Sequence, residues 1–112
     1  MSANPSRGEA TVTLGGRERV VRYRTNEIAK LEDLQGKGII TLMSQESVGI
    51  KLLRDALFVG LLHESKKITP DKVGRWLDEY DGELGELMTT VFETIASSIP
   101  GIKNYMDEDE DE

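Results

Sequence analysis

The stretch from 48 to 62 limits what this chain can fold into more than any other. Leu52, Leu53, Ala56, Leu57, Gly60 and Leu61 recur at the 3.6-residue spacing of a helix, and Phe58, Val59 and Leu62 widen that stripe around most of the axis. A helix apolar on nearly every side belongs at the centre of a fold, so the remaining elements are read as its cover. Ser47 is a candidate cap at its start. With 112 residues in all, the chain has room for one such core and not for a second.

The cover begins with a hairpin. Ala10, Val12 and Leu14 alternate with Thr11 and Thr13, the period of a half-buried strand, and Gly15-Gly16 supplies the positive backbone angles of a tight turn. The returning strand puts Val21 and Tyr23 on the same face, with Arg17 and Arg19 on that face near the turn. Only the end far from the turn is therefore expected to cover a core. Thr25 or Asn26 can cap a helix carrying Ile28, Leu31 and Leu34 on one side, with Gly36 where helices end. Ile39, Ile40, Leu42 and Met43 form a patch too short for periodicity to separate a helical turn from a buried strand, with the helical turn favoured.

Thr69-Pro70-Asp71 is the clearest helix start: Thr69 can accept a free amide, Pro70 suits the first helical position, and Asp71 meets the positive end of the dipole. Val73, Trp76, Leu77 and Tyr80 then share a face until Asp81-Gly82 stops the helix. Leu84, Leu87, Met88, Val91, Phe92 and Ile95 form the stripe of a last helix, which Pro100-Gly101 ends. The expected fold is α+β and mainly α, an N-terminal β-hairpin packed on a bundle of about four helices. Residues 1–7 read as a flexible leader, 8–105 as one α+β domain with the hairpin over 9–24 and helices over 26–105, and 106–112 as a disordered acidic tail.

The charge pattern supports that division. The net charge of −7 comes from 14 Lys and Arg against 21 Asp and Glu, but six of the acids form the unbroken run 107–112, and without them the body holds 15 acids against 14 bases. A near-neutral body with a repulsive acidic tail offers phosphates no footprint, so nucleic acid is not an expected partner. No stretch approaches the ~18 apolar residues of a membrane span, and the first residues lack the apolar core of a secretory signal, so a cytoplasmic protein is expected. The absence of cysteine excludes disulfides, thiolate metal sites and cysteine nucleophiles.

Catalytic patterns are missing as well. His63 is the only histidine, which excludes a two-histidine metal site and suits a capping or surface role at the end of the central helix. Gly15-Gly16 and Gly36-Lys37-Gly38 match no phosphate-binding glycine loop. Ser97 and Ser98 lie in no nucleophile elbow, and pairs such as Asp78 and Glu79 or Glu83 and Glu86 read as a solvated face. No enzyme, metal or cofactor is expected. What remains is surface: so small a body with this much helical apolar area leaves room for self-association or a partner. Met88 and Phe92, with Leu84 and Val91 beside them, are the candidate partner contacts, because methionine adapts to varied apolar surfaces and a ring supplies large contact area. Core packing explains the same stripe, and Trp76 and Tyr80 form a second candidate pair.

Three stretches carry a resemblance to a known family: Arg7-Gly8-Glu9-Ala10-Thr11-Val12-Thr13-Leu14-Gly15-Gly16; Ile28-Ala29-Lys30-Leu31-Glu32 followed by Gly36 and Gly38; and 57–62 followed by Ile68-Thr69-Pro70-Asp71-Lys72-Val73. Their order and spacing, over roughly residues 7–77, resemble the small tail assembly chaperones of long-tailed bacteriophages, in the branch shared with gene transfer agents and sometimes labelled tail tube proteins. The last helix and acidic tail match that family only in general character. The resemblance implies a non-catalytic protein of the infected or lysogenic host's cytoplasm that binds the tape measure protein before the tail tube polymerises and hands it to tube subunits, without a cofactor. The alternatives are a structural component of the phage tail or head-tail junction, and an unrelated small cytosolic adaptor using the face from 84 to 95. A tube subunit would be sheet-rich, and only one hairpin is expected here.

Overall fold

The computed structural model describes residues 3–4, 8–44 and 49–99. The expectations for residues 1–2 and 5–7 of the leader, the Ser47 cap, the stop at Pro100-Gly101 and the acidic tail lie outside the described residues. Within them the fold is α+β and mainly helical. Strands β1 (Glu9–Leu14) and β2 (Arg17–Arg22) are followed by α1 (Thr25–Gln35), α2 (Ile39–Met43), α3 (Ile50–Leu61), α4 (Pro70–Asp78) and α5 (Leu84–Ser98). The fifth helix beyond the expected four is the five-residue turn α2.

The hairpin forms where its turn chemistry demands. Gly15 and Gly16 take φ of +62° and +80°, both left-handed, as a two-residue hairpin turn requires. The register pairs Ala10 with Val21, Val12 with Arg19 and Leu14 with Arg17. Val12, Leu14, Val21 and Tyr23 are all buried on the shared face. The turn end is covered too, contrary to the expectation that only the far end would be. Arg19 is only 8% exposed, and Leu14 is fully buried beside it. Trp76 of α4 explains this, because the Arg19 guanidinium lies 4.0 Å from the centre of its ring while Arg19 Nε donates to the Leu14 carbonyl at 2.8 Å.

Helix α3 is central, as its pattern requires. Leu53, Ala56, Leu57, Val59 and Leu61 have no exposed surface, and α1, α4, α5 and β2 all pack on it. Its first turn begins at Ile50 after Gly49, and Ile50 itself is exposed. Tyr23 joins β2 to this helix. Its hydroxyl donates to the Ala56 carbonyl at 2.8 Å, its ring lies where a Cβ on Gly60 would come within 2.7 Å, and burial pushes its phenol well above the usual tyrosine range.

The other helices follow their caps, with three corrections. At α1 the cap is Arg24 rather than Thr25 or Asn26, because the Glu27 carboxylate reaches back 2.8 Å to the Arg24 amide. Leu34 is exposed and does not share the inner side with Ile28 and Leu31. Each three-residue step falls about 60° short of a full turn, so Leu34 drifts off that face and Gln35 takes the inward position. Gly36 closes the helix at φ +69°. At α4, Thr69 Oγ1 accepts the Lys72 amide at 3.1 Å with Pro70 first in the helix. The helix ends at Asp78, so Tyr80 sits in the following turn rather than on the helical face with Trp76.

Candidate interaction surface

Helix α5 presents three strips. Leu87, Val91 and Ile95 point inward and are buried, with Thr94 beside them bonded back to the Thr90 carbonyl at 2.6 Å. Val91 has no exposed surface, so within this fold it touches only the core. Leu84, Met88 and Phe92 recur every four residues along one flank. Met88 and Phe92 are half-buried against the core, and Leu84 is exposed. Glu86, Thr90, Glu93 and Ser97 occupy the opposite flank, beside β1.

Trp76 and Tyr80 are brought together elsewhere. Both line an open groove of about 340 Å³ between the hairpin turn and the end of α4. Trp76 already serves the fold there, stacked on Arg19 and pressed so close to Gly15 that a Cβ at Gly15 would lie 2.6 Å from its indole nitrogen.

The two outer edges of the hairpin were not singled out by sequence. In an antiparallel pair the residues between hydrogen-bonded partners turn both backbone groups outward. The bond from the Tyr23 amide to the Gly8 carbonyl, 2.9 Å, sets the phase, so Glu9, Thr11 and Thr13 face out from β1 and Glu18, Val20 and Arg22 face out from β2, where Val20 holds the middle position. There the turn after α3 supplies both partners. The Val20 amide donates to Glu64 Oε2 at 3.2 Å, and His63 Nε2 lies 2.6 Å from the Val20 carbonyl, so that nitrogen carries the proton. Glu64 also pairs with Arg19 at 3.3 Å. On β1 the Glu9 amide is taken by the Asn4 carbonyl at 3.2 Å, while the outward groups of Thr11 and Thr13 have no partner among the described residues.

One buried charge also escaped the sequence reading. Asp55 lies inside the apolar stripe of α3, accepts from Gln35 Nε2 at 2.7 Å, and is paired with Arg54 at 3.0 Å, tying α1 to the central helix. An acid in the middle of so apolar a segment was the available signal, since a buried carboxylate needs partners. Among the described residues no cluster of His, Asp and Glu could hold a metal ion, and no helix is long and apolar enough to cross a membrane. No family model, curated protein or solved structure matches the chain.

Proposed function

We propose that this chain is a non-catalytic tail assembly chaperone of a long-tailed phage or prophage, which holds the tape measure protein in the host cytoplasm before the tube polymerises around it. The observation that carries this reading is the strip of Leu84, Met88 and Phe92 on α5. Its side chains extend beyond the buried stripe and are only partly covered by the chain's own core. An apolar strip at four-residue spacing on a rigid helix suits a long helical client, which docks by laying its own apolar face alongside. The resemblance over residues 7–77 supplies the class of client, and the acidic run 107–112 supplies charge that keeps a loaded complex in solution.

Co-expression with a phage tape measure protein tests the reading. The double substitution Met88→Ser and Phe92→Ser should leave the chain folded by circular dichroism and leave the client insoluble. A folded double variant that still keeps the client soluble removes this strip from the mechanism.

A further inference from the structure

The open edge of β1 is the feature that neither the core nor the α5 strip explains. Thr11 and Thr13 turn two amides and two carbonyls outward, and these lack partners among the described residues. Natural edges of this kind are usually blunted by a lysine, a proline, a bulge or a covering element. None of the first three occurs on β1, whose sequence is Glu-Ala-Thr-Val-Thr-Leu in unbroken register with β2. Among the described residues a covering segment reaches only the first residue, where Asn4 bonds the Glu9 amide and carboxylate and Ala3 lines the adjoining space, and beyond it the space beside Thr11 and Thr13 is open. A groove of about 580 Å³ and a second of about 250 Å³ run between β1 and α5, and Thr11 and Thr90 line both.

The charge of that space is one-sided. Glu9 and Glu93 line the larger groove, Glu86 lines the smaller, and among the described residues no lysine or arginine lines either. From the unpaired edge and these three carboxylates we infer that β1 takes an added strand from a partner protein, an extended segment carrying lysine or arginine at alternate positions. The backbone of the segment completes the ladder at Thr11 and Thr13, and its basic side chains meet Glu86 and Glu93. A second copy of the chain is the poorer occupant, because pairing β1 with β1 would bring both sets of carboxylates onto one seam. The inference does not rest on the tape measure reading, since it uses the opposite flank of α5.

The test uses the full chain and a labelled synthetic peptide of about seven residues alternating lysine and valine. A glutamate-valine counterpart and a lysine peptide with N-methylated backbone serve as controls. Fluorescence anisotropy reads binding, and amide exchange by NMR reads Thr11 and Thr13. The lysine peptide should bind saturably and slow exchange at both residues, and neither control should do so. Glu86→Lys with Glu93→Lys should weaken binding about tenfold or more, as should Thr11→Pro, which deletes an outward donor. The charge-reversed variant keeps the test decisive if the proline variant fails to fold, because both glutamates are exposed. Absence of saturable binding overturns the proposal, as does equal binding of the N-methylated peptide, which would mean attraction by charge without a strand. Protection of Thr11 and Thr13 that grows with protein concentration in the absence of peptide assigns the edge to a second copy and overturns it too. Protection that persists at every dilution assigns the edge to the chain itself, with the same consequence.

Discussion

On β2 the outward backbone of Val20 is met by two side chains, His63 and Glu64, whereas the matching groups of Thr11 and Thr13 on β1 meet none among the described residues. Both strands have six residues, and they share one register, so the ladder itself does not account for the difference. What differs is the neighbour. Helix α3 ends beside β2, and the two residues after its last apolar turn carry the polar atoms that an adjacent strand would have supplied. Helix α5 runs beside β1 with threonines and glutamates, and none of these bonds to the outward groups of Thr11 and Thr13. At Val20, the middle of the β2 edge, side chains close the backbone and tie it to α3. An edge left open is where another chain can be read.

The closed side suffers most when β2 is levered off α3. Gly60→Ala puts a methyl into the Tyr23 ring and should cost about 3 kcal/mol in a urea titration. A loss near zero would mean that Tyr23 is not what holds β2 down. Glu64→Ala opens the closed edge directly, leaving the Val20 amide unpaired and the buried Arg19 without its carboxylate, at about 2 kcal/mol. In that variant the Val20 amide should exchange with solvent as fast as Thr11, whose own exchange stays unchanged.

Alkali provides a gentler lever on the same side. The Tyr23 phenol is held neutral in the native chain by burial, while in the unfolded chain it ionises near its ordinary value of 10.0. Stability should therefore be unaffected by this group below pH 10 and fall by about 1.4 kcal/mol for each pH unit above it. Tyr23→Phe should abolish that slope, which denaturant titrations at pH 9, 10 and 11 would read. The smallest effect belongs to the open edge. Thr11→Pro removes an amide that bonds nothing among the described residues, so it should change stability by less than about 1 kcal/mol. A larger loss would show that the edge is covered after all.

Much of the fold was written locally. The central helix was visible because apolar residues at 3.6-residue spacing leave it no polar side, and α4 because Thr69, Pro70 and Asp71 each satisfy a different need of a helix start within one turn. The hairpin turn and the end of α1 were visible because Gly15, Gly16 and Gly36 adopt angles that other residues resist. The errors were also local. Three-residue steps point Leu34 inward but drift around the axis, and Thr25 and Asn26 look like the α1 cap although Glu27 caps Arg24 from within the helix.

The candidate surface depended on pairings that no spacing reports. Val91 and Met88 belong to the same sequence stripe, yet one is fully buried and the other half-covered, because the hairpin and α3 reach only part of that face. Arg19 reads as a solvent residue near a turn until Trp76, 57 positions later, is laid over it. Glu64 and His63 close Val20 from 44 and 43 residues away. The facing of most side chains along their own helix or strand was legible because periodicity, caps and turn angles are set by near neighbours. Which of those faces are covered, and where a strand edge stays open, was not, because that depends on where distant segments come to rest.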